Sequence, residues 1–374
     1  MAEREPVRIT GVHALSAFGR GADALLAGVL AGTPAFAPVR RFDTAGRRVT
    51  VAATLPEVGS LADELADAVD TACRAAGLDG RRRAEAALFL ATHGGPVSLP
   101  GGGPEAPALA GHLARGGGLA DRTRVYTTAC VSASTAVADA ATLIGRGDLD
   151  RVVVAAGYLV EPDQYALFDA GRAFAADGAV RPFSAGRQGL LLGDGVVAVV
   201  LESATAAARR GAPALAEVSG WGRAGDAYHP CQPDPAGAGL ARAVEAALRR
   251  AGLPAGAVGY VNANATGTPY SDASEAAALR RVFGDLAGRI PVSSTKSTHG
   301  HALEASGLLE LVVTVLALRH GVLPVNAGYL ARDEACPLNI ITPTPTPTPH
   351  PTPHALTLNA AFGGANTALL VGAP

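Results

Sequence analysis

A thiol stands at the end of a strand-like run, Arg124-Val125-Tyr126-Thr127-Thr128-Ala129-Cys130, directly before a long apolar segment that begins Val131-Ser132-Ala133-Ser134-Thr135-Ala136-Val137. The run predicts a strand and the segment a buried helix, which places Cys130 at the helix mouth. A helix N-terminus carries positive partial charge and unpaired N–H groups, so a thiol there is expected to have a lowered pKa and to find donors for a neighbouring oxyanion. That is where a thiolate nucleophile would be built. The plainer reading is a small core filler among alanines and serines. The remaining cysteines, Cys73, Cys231 and Cys336, are far apart and show no CxxC pair or Cys/His metal spacing. Neither a disulfide framework nor a zinc site is indicated, and a reducing cytoplasm fits.

These groups must be held by the elements around them. Short Val/Ile-rich strands such as Val7-Arg8-Ile9-Thr10-Gly11 alternate with Ala/Leu/Arg helices such as Ala22 to Ala31 and Ala62 to Ala76, the pattern of an α/β protein. A weak internal repeat runs through the chain. The Cys130 segment leads into a helix closed near Gly145 and Gly147 and then a strand, Arg151 to Gly157. In the second half Ile290-Pro291-Val292-Ser293-Ser294 leads past His301 into an apolar helix from Leu308 to Leu318, and later a strand, Ala355 to Asn359. Cys130 and His301 thus fall at comparable places, and two similar halves would bring such loops to a shared centre. The boundary lies near Ser203 to Pro213, dividing the chain into residues 1–205 and 206–374.

With 374 residues, 48% of them hydrophobic, the chain can bury a large core. The 31 basic and 33 acidic residues are spread along it, so neither a nucleic-acid stripe nor a membrane-binding basic patch is expected. Met1-Ala2-Glu3-Arg4-Glu5 lacks the apolar core of a signal peptide, and the stretch near Leu308 to Leu318 is short and interrupted by Glu310. A soluble, cytoplasmic protein is expected. The run Thr342 to His354 alternates proline with threonine and histidine and reads as an extended, exposed connector; His350 and His354, without acidic or thiol companions, make a poor metal site.

Several segments, in order, resemble the β-ketoacyl-acyl carrier protein synthases, the condensing enzymes of fatty-acid and polyketide assembly. They are Ile9-Thr10-Gly11-Val12, Thr128-Ala129-Cys130-Val131-Ser132, Arg181-Pro182-Phe183-Ser184-Ala185-Gly186-Arg187, Leu192-Gly193-Asp194-Gly195, Asp226-Ala227-Tyr228-His229, Val261 to Pro269, Ser294-Thr295-Lys296-Ser297, Gly300-His301 and Phe362-Gly363-Gly364. The resemblance spans nearly the whole chain. It implies a thiolase fold, two similar α/β halves in a layered αβαβα arrangement, and a homodimer or a heterodimer with a related subunit. It also implies an acyl carrier protein as partner, with the acyl chain delivered on its phosphopantetheine or on CoA, and no cofactor or metal of the enzyme's own.

By the same resemblance Cys130 takes the acyl chain as a thioester. Cys130 and Phe362 contribute backbone N–H groups to an oxyanion hole, with Gly363 and Gly364 letting that loop approach closely. Phe362 matches the gating aromatic, although a core phenylalanine is its plainer reading. His301 matches the second catalytic histidine, a hydrogen-bond donor to the thioester oxygen. Lys296 and Glu310 match a buried supporting ion pair. His299 stands where the family has threonine or an apolar residue, and nothing in the sequence explains it.

The main departure is Asn264, in Asn264-Ala265-Thr266-Gly267-Thr268, where the family's first catalytic histidine stands. An amide donates hydrogen bonds but takes up no proton. Three readings follow: acyl transfer without efficient malonyl decarboxylation; elongation with Asn264 as the donor; or a noncatalytic partner subunit like a chain-length factor. Retention of Cys130 and His301 argues against the last. Smaller departures are Gln188, Leu190 and Asp194 in the Arg187 to Gly195 motif, Ala361 before the gate, and a short glycine-rich stretch from Ala91 to Arg122.

Overall fold

The computed structural model describes residues 5–93, 105–343 and 352–374. Most of the proline-rich connector, including His350, and part of the glycine-rich stretch lie outside them.

The first half contributes β1 (Val7–Ser16), β2 (Ala87–Ala91), β3 (Thr123–Tyr126), β4 (Arg151–Tyr158) and β5 (Gly195–Ser203). The second contributes β6 (Ala216–Gly225), β7 (Tyr260–Asn262), β8 (Pro291–Ser293), β9 (His354–Ala361) and β10 (Ala365–Gly372). Strand order is β1-β5-β4-β2-β3 in the first half and β6-β10-β9-β7-β8 in the second, so each strand has a counterpart five numbers on. Direction is matched as well: β1–β5 and β4–β5 are antiparallel, as are β6–β10 and β9–β10, while β2 runs parallel to β3 and β4 just as β7 does to β8 and β9. The repeat, faint in sequence, is explicit in topology. A short β1–β6 pairing, Arg8 with Glu217 and Ile9 with Ala216, joins the halves into one twelve-stranded sheet that includes two short flanking strands.

Helices repeat in the same way: α1 (Leu61–Ala75), α2 (Ala106–Gly116) and α3 (Ser132–Gly145), then α4 (Ala238–Ala251), α5 (Pro269–Phe283) and α6 (Ser306–His320). Helix α1 buries Leu65, Ala68, Val69 and Ala72 against β1, β4 and β5, and its N-terminus is capped by Ser60. Helix α4 covers β6 and β10 in the equivalent place. Helices α3 and α6 pack on each other, each touching strands of both halves. This is the αβαβα layering of the thiolase fold. A helix enclosed by the two half-sheets is covered on every side, which is why Ser306 through Leu318 is buried without a break. Strands β4 and β5 are buried along their whole length and read as continuous apolar runs rather than alternating ones. Among the described residues, no helix is long and apolar enough to cross a membrane.

Candidate active site

Cys130 lies on a turn of 3₁₀-helix, Ala129–Val131, between β3 and α3. Ala129 is held at φ 50°, a conformation that a side chain disfavours, and Leu303 is held at φ 41° at the start of a second such turn, Leu303–Ala305, before α6. The two turns are counterparts and pack against each other. The residue equivalent to Cys130 is therefore Glu304, not His301. His301 precedes that turn and reaches the thiol from the side.

His301 is fixed at its backbone. Its N–H donates to Leu191 O at 2.8 Å and its carbonyl accepts from Gly193 N–H at 3.1 Å. Gly300, at φ 74°, allows the preceding turn; a Cβ there would stand 2.6 Å from Leu192 O. The ring bridges two groups, with Nε2 3.2 Å from Cys130 Sγ and Nδ1 2.8 Å from Ser306 Oγ. Ser306 Oγ already accepts from Ala302 N–H at 3.0 Å, so its own proton is free to donate to Nδ1. That assigns the remaining ring proton to Nε2, facing the sulfur.

Burial dominates the protonation of this pair. It pushes the Cys130 thiol up to about 12, the Glu304 charge adds to it, and the opposing pull of Lys296 is smaller. Burial, then the Lys296 ammonium, holds the His301 ring well below the ordinary imidazole range. The resting pair is a neutral thiol and a neutral imidazole. This runs opposite to the expectation that the helix mouth lowers the Cys130 pKa: burial is the largest influence on the thiol. Since the thiolate is the alkylated species, modification of Cys130 by iodoacetamide is expected to accelerate about tenfold per pH unit from pH 7 to 9, followed by peptide mass mapping. A plateau below pH 8 would show a thiolate already formed at rest.

Asn264 follows β7 and is buried. Its N–H donates to Glu275 Oε1 at 2.8 Å, and its Oδ1 accepts from Lys296 Nζ at 3.4 Å. An ammonium only donates, which orients the amide oxygen toward Lys296 and leaves the NH2 group as the donor for the cleft that Asn264 lines. Lys296 is also ion-paired to Glu310, both side chains fully enclosed, and Glu310 Oε2 accepts from Asn359 Nδ2 at 2.7 Å. Glu275, pushed up to about 8 by burial, stands behind Asn264. His299 points away from the cleft. Its ring meets Gly300 O at 2.8 Å and Thr295 Oγ1 at 2.9 Å, and burial drives it down to about 3, which makes it a neutral packing group.

A cleft of about 90 Å³ brings together Cys130, His301, Asn264, Thr266, Thr268 and the Phe362-Gly363-Gly364 turn. Phe362 is 59% exposed and stands 6.3 Å from the Phe168 ring at the cleft wall, so it is not a core residue. Gly363 and Gly364 are not oxyanion donors. Their N–H groups are engaged by Pro230 O at 2.8 Å and Ala361 O at 3.2 Å, and their φ angles of 85° and 76° shape the hairpin joining β9 to β10. Sequence reasoning missed Ser306, Glu275 and Glu304. Ser306 opens α6, a position where a hydroxyl is a signal worth reading; the other two carried none.

The chain matches the family model for the beta-ketoacyl synthase N-terminal domain over residues 100–207 and that for the C-terminal domain over residues 215–329. It is 39% identical to Nodulation protein E of Rhizobium meliloti (strain 1021) over 307 residues, 81% of this chain and 71% of the relative. It is 36% identical to 3-oxoacyl-[acyl-carrier-protein] synthase 2 of Coxiella burnetii over 251 residues, 65% of this chain and 60% of the relative. Among solved structures, the ishigamide ketosynthase/chain length factor superposes with a TM-score of 0.90 at 28% identity, covering 99% of this chain and 100% of that one. A beta-ketoacyl synthase from Burkholderia phymatum STM815 gives 0.89 at 27%, with coverage of 99% and 100%. The chain belongs to the β-ketoacyl synthase family of the thiolase-like superfamily, acyl-transferring and condensing enzymes of fatty-acid and polyketide biosynthesis.

Proposed function

We propose that the protein takes an acyl chain from a carrier-protein thioester onto Cys130 and passes it to an acceptor without efficient malonyl decarboxylation. The observation that carries this reading is the cleft's pairing of a thiol and an imidazole with an amide, Asn264, that has no proton to exchange. In the loading step the Cys130 sulfur attacks the thioester carbonyl. The oxyanion is received by the N–H groups of Cys130 and Phe362, the carbon–sulfur bond to pantetheine breaks, and the thiol proton of Cys130 ends on the departing sulfur. The Nε2–H of His301 faces the sulfur and supports its charge as the proton leaves. None of this needs a titratable group at 264. Decarboxylation does make a larger demand, because an enolate must be stabilised as carbon dioxide departs.

Elongation is the second reading, favoured by the orientation that Lys296 imposes on Asn264, whose NH2 group could serve as the enolate's donor. A noncatalytic role is opposed by the Cys130–His301 contact. The partner is an acyl carrier protein, as the name of the Coxiella relative carries for that enzyme, and the assembly a homodimer or a heterodimer with a related ketosynthase subunit.

The test is intact mass spectrometry after mixing with an acyl carrier-protein thioester, then addition of malonyl carrier protein with carbon dioxide counted. An acyl adduct that persists without stoichiometric carbon dioxide supports non-elongating transfer; a product two carbons longer overturns it. Asn264→His is expected to raise malonyl decarboxylation at least about tenfold, since one well-placed donor in such a site is worth about 10² to 10³ in rate. An unchanged rate would locate the restriction elsewhere.

A further inference from the structure

Glu304 is an unusual occupant for its position. It fills, in the second half, the place that Cys130 fills in the first, and its turn packs on both the Cys130 turn and β4. Its side chain is 6% exposed, and Oε1 meets His93 Nδ1 at 3.1 Å, while the buried Oε2 has no hydrogen-bond partner among the described residues. Tyr158, the last residue of β4, is in the same condition: it is 4% exposed with a buried hydroxyl that has no partner. The Glu304 turn adjoins both the strand that Tyr158 ends and the turn of the nucleophile. After burial, the Glu304 charge is the largest influence on both the Tyr158 hydroxyl and the Cys130 thiol.

Two buried polar atoms left without partners beside a nucleophile are costly unless something meets them. Neither Glu304 nor Tyr158 lines the cleft that holds Asn264 and Phe362, although the Glu304 turn packs on the Cys130 turn. The arm that delivers an acyl group occupies the cleft during loading, and an acceptor occupies it afterwards. A chain on the sulfur that turns out of the cleft past the Glu304 turn would meet both groups. A saturated hydrocarbon there would leave both atoms unmet. A hydroxyl or an amino group would donate to Glu304 Oε2 and pair with the Tyr158 hydroxyl.

We propose that the acyl chain carried on Cys130 bears a hydrogen-bond-donating substituent, hydroxyl or amino, within a few carbons of the thioester, recognised by Glu304 and Tyr158. This rests on the loading of Cys130 described above and adds the substrate class. His93, on the exposed side of Glu304, completes the pair without consuming Oε2.

The test compares butyryl, 3-hydroxybutyryl and 3-aminobutyryl pantetheine thioesters as acyl donors, with the rate of the Cys130 adduct read by intact mass. One of the substituted chains is expected to load about tenfold or more faster than butyryl, and which of the two does so identifies the substituent. In Glu304→Gln/Tyr158→Phe the ratio of rates is expected to fall to about one; Tyr158→Phe alone, which keeps the ion pair with His93, should reduce it in part and serves if the double variant does not fold. Equal loading of all three by the unaltered protein, as when water satisfies both atoms, overturns the proposal alone. So does a preference that survives the substitutions. Absence of any adduct with all three overturns the loading reading and this proposal together.

Discussion

Cys130→Ala abolishes the acyl adduct completely while the protein keeps its fold. The sulfur is the atom that bonds to the acyl carbon, so its removal leaves no slower route to the same covalent product. The structural cost is small: one sulfur is lost from a 7% exposed site on a turn whose backbone geometry is set by neighbours, worth about 1 kcal/mol. Intact mass after incubation with an acyl carrier-protein thioester reads the first effect and thermal unfolding the second. The experiment is best run with Cys231 replaced by Ser, because Cys231 is exposed and lines the same cleft. Cys73 and Cys336 compete less, since both are buried and neither lines that cleft. An adduct of unchanged yield in the Cys130→Ala protein would remove the basis of the loading mechanism.

Lys296→Met is the substitution with the largest expected effect on stability. Lys296 and Glu310 are 1% and 0% exposed, and removing the cation leaves a carboxylate enclosed between two sheets with Asn359 as its one remaining donor. Breaking a buried pair on one side costs about 3–5 kcal/mol. Burial already raises the Glu310 carboxyl, so part of that loss is relieved when it takes up a proton. Urea unfolding at neutral pH measures the total. In Lys296→Met/Glu310→Met, which removes both charges, most of the stability is expected to return, because the desolvation cost disappears with the pair. Loading should recover with it, because transfer onto the thiol draws on His301 and the backbone N–H groups and not on the Asn264 amide that Lys296 orients. A double variant as unstable as the single one would contradict this account.

Much of the site was legible in the sequence because its motifs are short and each sits at the end of a strand. Cys130 follows β3, Asn264 follows β7, and Lys296 and His301 follow β8. Strand-end loops gather at one place once the sheet forms, so local signals sufficed to identify the members. What escaped were relations between segments far apart in the chain. Glu304, Tyr158 and His93 come from three separate elements, and nothing in their local sequences marks them as neighbours. Protonation escaped for the same reason. A helix mouth can be read from a few residues, but the burial that drives Cys130 upward is a sum over both halves. The Gly363-Gly364 pair was legible as a turn, while the engagement of its N–H groups by Pro230 and Ala361 depends on how a distant loop folds back.

The 3.2 Å contact between Cys130 and His301 joins a residue of the first half to one of the second, across a seam where, among the described residues, the two half-sheets pair through Arg8–Glu217 and Ile9–Ala216. Reactivity at the thiol is thus a gauge of alignment between two bodies rather than a property of either. A shear along the seam of a fraction of an ångström would detune it without disturbing any strand, any helix, or the internal packing of either half.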